Sequence, residues 1–176
     1  MNEIIKKNGI NYGIILGVIS ILITASIYAI DLKLFTNMWI GISSIVIFLV
    51  IGIVLVSKTK KQLKGFITFK EAFTIYFIAG AIGATMSVLF NILLFNVIDP
   101  EAKETVNTLA IEYSVEMMKK FNTPTEAIAK AVEDMQKNDN YSVANLLKGL
   151  VFSFVFSAIF GSLLALIFRN KTSNLE

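Results

Sequence analysis

Glu101, Glu104 and Glu112 are the carboxylates that a membrane enzyme built on this chain would have to use. A carboxyl group can pass a proton as general acid or base. These three lack the usual company. The 176 residues contain no Cys and no His. That removes Cys nucleophiles, His bases, thiolate and imidazole metal sites, His-ligated haem and disulfides together. The sequence holds no Gly-rich phosphate loop, no metal-ligand cluster and no nucleophile–base pair. The chain therefore reads as a non-enzyme without cofactor or metal. A carboxylate- or lysine-based enzyme is the residual alternative. A net charge of +3 is too small to suggest nucleic acid as a partner.

The most regular spacing belongs to residues that do no covalent chemistry. In "GLVFSFVFSAIFGSLLA" a small residue recurs every fourth place: Gly149, Ser153, Ser157, Gly161 and Ala165. "GINYGIILG" repeats the pattern with Gly9, Gly13 and Gly17. "AGAIGATMS" adds Gly80 with Ala84, and Gly83 with Ser87. Small residues four apart on a helix form a slanting groove in which another helix can lie close. We read these rows as helix-packing faces inside the monomer, the first and last spans offering matching surfaces. A homo-oligomer face and the wall of a water-filled path are the alternatives.

Such rows need helices in a bilayer to carry them. The chain is 55% hydrophobic, above the 45–50% or so of soluble domains, and the excess is gathered in four runs. These are residues 9–30, 38–56, 72–98 and 146–168. Each is long enough to cross about 30 Å of hydrocarbon at about 1.5 Å per residue. The first run follows Lys6 and Lys7 but exceeds a signal-peptide core and ends "IYAID" without a clear cleavage site, so it reads as a span. No ionisable residue lies in the central part of any run, which counts against proton-coupled transport. Asn91 is expected to hydrogen-bond another helix, and Asn96 to reach water.

Lysine and arginine set the orientation. With four spans both termini share a side. That side carries Lys6, Lys7, Lys58, Lys60, Lys61, Lys64, Lys70, Arg169 and Lys171 against Glu3, Glu71 and Glu176. Both termini are therefore expected in the cytoplasm and the 99–145 loop outside. The connector "SKTKKQLKGFITFKEAF" is expected to lie along the anionic inner leaflet. There Lys58, Lys60, Lys61 and Lys64 would contact lipid headgroups, mainly as a topology signal.

The outer loop reads as two amphipathic helices of about 20 and 12 residues. Asp99 caps the first, with Pro100 at its first position. Pro124 stops it near Asn122. Thr123 is expected to cap the second, with Glu126 completing a capping box. The whole is a single all-α integral membrane domain with an extracytoplasmic helical hairpin between spans 3 and 4.

The glycine-rich first span "GINYGIILG", the "GFITFKEAF" leading into the third, the "DP" closing it and the Pro-initiated helix before the last span together resemble the bacterial domain-of-unknown-function family 4199. The resemblance covers almost the whole chain. It implies a small four-span membrane protein, known mainly from Bacteroidetes-type bacteria, and carries no catalytic residue. The leading expectation is thus an inner-membrane scaffold or accessory protein. Its partners would be the lipid bilayer and a membrane protein or further copies of itself. A small oligomeric channel or carrier for neutral or apolar molecules is the alternative.

Overall fold

The structure is a computed structural model describing residues 2–170. Lys171 and Glu176 of the charge comparison lie outside the described residues. Among the described residues six α-helices follow one another: α1 (Glu3–Ile30), α2 (Met38–Gln62), α3 (Phe69–Leu93), α4 (Pro100–Lys120), α5 (Thr125–Gln136) and α6 (Val143–Phe168). Among the described residues four helices are long and apolar enough to cross a membrane: α1, α2, α3 with its π-helical extension to Ile98, and α6. Polar side chains start them. Asn2, Asn37, Thr68 and Ser142 each accept a hydrogen bond from the first turn of α1, α2, α3 and α6 respectively, replacing a helical partner those N–H groups lack. Thr68 and Glu71 close a reciprocal capping box.

The helices overrun the apolar stretches because lysine is a good helix former and its long stem spans the bilayer edge. α2 therefore continues through Lys58, Lys60 and Lys61. The expected surface connector of residues 57–73 shrinks to a turn at 63–68. Lys64 and Gly65 make that turn in the left-handed region, at φ 59° and 84°. The Gly65 N–H then reaches the Lys60 carbonyl at 2.9 Å, which satisfies an orphan carbonyl at the helix end.

α3 is the axis of the bundle. It packs along most of its length on α1 to one side and α6 to the other. α2 is peripheral, and its buried residues are Gly52, Leu55, Val56 and Thr59, all in its second half. Two apolar cores result. At the basic end, Ile5, Leu55, Val56, Ile67, Ala72, Ile75 and Ala165 pack together. At the far end, Leu94, Phe95, Ala102 and Val106 join α3 to α4.

The far core depends on a departure from the continuous α-helix expected to Ile98. Leu94–Ile98 forms one π turn, and the Asp99 N–H reaches the Leu94 carbonyl at 2.8 Å. Phe95 is fully buried there. Its ring lies 5.5 Å from Phe35, in the 3-10 turn Leu32–Thr36, and 4.6 Å from Tyr141, before α6. α4 and α5 have close to the expected lengths, and Asp99 caps α4 through the Ala102 N–H. The Thr123 capping box does not form. α5 starts one residue later with Pro124 as its N-cap and without a side-chain cap. Its strong amphipathic pattern and contact with α4 hold it instead.

Candidate functional site

The small-residue rows of α1 and α6 make their close contacts with α3, which carries the third. The side chains of Ile78, Ile82 and Met86, four apart, sit over Gly9, Gly13 and Gly17, also four apart. A Cβ on Gly13 would stand 2.7 Å from the Ile82 Cβ. In return Gly83 of α3 receives Leu16, whose Cβ would lie 2.9 Å from a Cβ there. α1 and α3 thus run parallel with ridges of one in the groove of the other. Gly80, on another face of α3, lies against Ser157 of α6, and Gly161 lies against Tyr76 and Phe73.

The rows of α1 and α6, expected to match one another, are therefore separated by α3. Nor does the α6 row reach one partner throughout. Ala165 is fully buried and Gly161 is buried. Ser153 returns its hydroxyl to the Gly149 carbonyl of its own helix. Gly149 is exposed, with nothing within 4 Å of where its Cβ would be. Helical drift is the reason. Each four-residue step turns about 40°, so four steps carry the row roughly 160° around the helix.

A cleft of about 560 Å³ opens where α2 leaves the bundle. Before Gly52 no residue of α2 is buried. The walls come from α1, α2, α3 and α6 and are largely apolar, with serine hydroxyls at Ser20, Ser87, Ser153 and Ser157. Its lower end is stopped by the Tyr76 ring. That ring lies against Gly52 of α2 and Gly161 of α6, and Leu164 comes within 3.5 Å of the Gly52 position. Ile45 and Phe156, both more than half exposed, stand at the two edges of the mouth.

The family model described as "Protein of unknown function (DUF4199)" matches residues 11–170. The chain belongs to the DUF4199 family. No curated protein and no solved structure matches it.

The basic end of this DUF4199 protein is tied by polar contacts that spacing alone did not reveal. Buried Asn8 donates to Thr59 Oγ1 at 2.9 Å and also to Gln62. Ile67 and Asn170 exchange two hydrogen bonds of 3.0 Å. The four lysines expected at lipid headgroups divide. Lys60 caps the end of α6 through the Phe168 carbonyl at 2.8 Å, and Lys58 lies 5.8 Å from the Tyr12 ring centre. Lys61 and Lys64 are exposed. Asn91 bonds the Ser87 carbonyl of its own helix rather than another helix. Asn96 stays partly exposed and donates to the Tyr141 carbonyl.

At the hairpin end Asp139 gathers Asn107 at 2.8 Å, Lys103 at 3.0 Å and the Tyr141 N–H at 3.0 Å. Burial pushes its carboxyl up, but these donors outweigh it and hold the group below its ordinary value. Asp99 is lowered by the Ala102 N–H, then by the Tyr28 hydroxyl. Glu101 and Glu104 lie on an exposed face of α4, and Glu112 is exposed as well. Among the described residues no three metal-binding side chains gather. Gly52, Tyr76 and Asn8 were not legible as site residues. Gly52 has Phe48 and Val56 four places away, so no small-residue row announces it.

Proposed function

We propose that this DUF4199 protein is a non-enzymatic accessory protein of a bacterial cytoplasmic membrane that supports a membrane partner through its α4–α5 hairpin. One observation carries the reading. α4 is anchored by its first two turns, where Ala102 and Val106 are buried, and no later residue of α4 is buried. α5 buries none. A 21-residue helix is about 30 Å long, so the hairpin forms an arm with Phe121 exposed at its tip. Both termini are assigned to the cytoplasm on the lysine distribution. A small carrier for neutral or apolar molecules is the second reading, and the cleft favours it.

Orientation is tested by single cysteines, which a cysteine-free chain allows without background. Cysteine at Asn138 should react with an impermeant maleimide added to intact spheroplasts. Labelling only after lysis would reverse the assignment. The functional reading is tested by a photo-crosslinking residue at Phe121, with flux assays on the purified protein in liposomes. A recurrent membrane-protein adduct without flux supports the accessory role. Solute flux by the protein alone would replace it with the carrier.

A further inference from the structure

The cleft between α2 and α6 has a shape that selects its occupant. Its volume lies within the range of about 300–1,000 Å³ typical of small-ligand sites. It is set among the apolar middles of four spanning helices, so the medium at its mouth is hydrocarbon. No charged side chain lines it. We propose that it holds one acyl chain of a bilayer phospholipid.

Three features favour a flexible chain over a helix. The first is the blind end. A helix needs about 8–10 Å between axes along the whole contact. To run through this cleft it would have to expel the Tyr76 ring from between Gly52 and Gly161. A tail can enter from the side and stop there. The second is the lateral mouth between Ile45 and Phe156, on the half of α2 that buries nothing. The third is Ser153, one of the four serines of the lining. Ser153 turns its hydroxyl to its own helix, which leaves methylene surface toward the space.

The polarity of the cleft fixes which leaflet supplies the chain. Its closed end lies toward the lysine-rich end of the bundle, and the residues near its mouth, Ser87 and Ser153, lie away from it. The lipid therefore comes from the leaflet remote from those lysines. With no cation in the lining, recognition is of the tail and is indifferent to the headgroup.

The test uses the full chain in nanodiscs of equal zwitterionic and anionic phospholipid, transferred to detergent for native mass spectrometry. One phospholipid should be retained per chain, with the two headgroups in the proportion supplied. Ser153→Phe, which fills the cleft, should lower retention at least tenfold. Val151→Phe, on the outward face of α6 at 61% exposure, should leave it unchanged. No retained phospholipid, equal retention by Ser153→Phe, a headgroup preference, or a retained non-phospholipid would each overturn the proposal. Should Ser153→Phe fail to fold, the wild-type chain decides alone. A phospholipid with a diazirine near its acyl terminus should mark Tyr76 or Gly80, toward the closed end on the central helix, and adducts confined to outward residues such as Val151 overturn the proposal.

Discussion

Gly13→Ala and Gly149→Ala make the same chemical change in two spanning helices and should have opposite consequences. Alanine is favoured over glycine in a helix by up to about 1 kcal/mol. At Gly149 nothing lies within 4 Å of the new methyl, so the change should be neutral or slightly stabilising. At Gly13 the methyl would lie 2.7 Å from the Ile82 Cβ and 3.1 Å from the Ala79 carbonyl oxygen. Carbon atoms prefer about 3.5–4.0 Å, so α1 and α3 must separate by roughly an ångström. The Ile82 Cβ is fixed to its backbone and cannot swing aside. Overpacking of this kind costs about 1–3 kcal/mol, and the opening would spread along the parallel Gly9 and Gly17 contacts. Gly17→Ala should be comparably costly, because the Met86 Cβ, fixed to its backbone like that of Ile82, would lie 2.8 Å from the new methyl. Stability in detergent, read as the folded fraction surviving heating on size exclusion, should rank Gly149→Ala above both Gly13→Ala and Gly17→Ala. Equal stability of Gly13→Ala and Gly149→Ala would refute the claim that close approach to α3 is what the first-span glycines provide.

Asn8→Ala should destabilise by about 0.6–1.7 kcal/mol in a detergent unfolding titration, the span of interhelical hydrogen bonds in membranes. Lys61→Ala, on the exposed face of α2, should change nothing measurable, and equal effects would remove Asn8–Thr59 as a clasp. The hairpin junction should be acid-sensitive. Asp99 and Asp139 are both held below their ordinary value of 3.8, so their contribution is complete above that value and is lost as pH falls through the lower folded values. Melting curves should weaken below about pH 4 in the wild type but less so in an Asp99→Asn, Asp139→Asn double variant. Parallel profiles would show that these carboxylates are not the acid-sensitive groups.

The four spans, the two loop helices and the Asp99 cap were legible in the sequence because each depends on neighbours along the chain. Apolar length, helical period and capping type are local properties. The glycine rows were legible too, but only as an ability to come close. A thin face does not name what approaches it. The first-span row takes Ile78, Ile82 and Met86, and the last-span row takes Gly80 and Tyr76 of the same central helix. Helical drift then turns Gly149 away, although it shares the spacing of Gly161. Local rules misled at Thr123, where contact with α4 outweighed the cap, and at Asn91, whose amide found a carbonyl on its own helix. The cleft belongs wholly to tertiary structure. It exists because α2 touches the bundle through Gly52 and its second half and leaves it in the first. At its closed end the Tyr76 ring lies against glycines 109 residues apart in the chain.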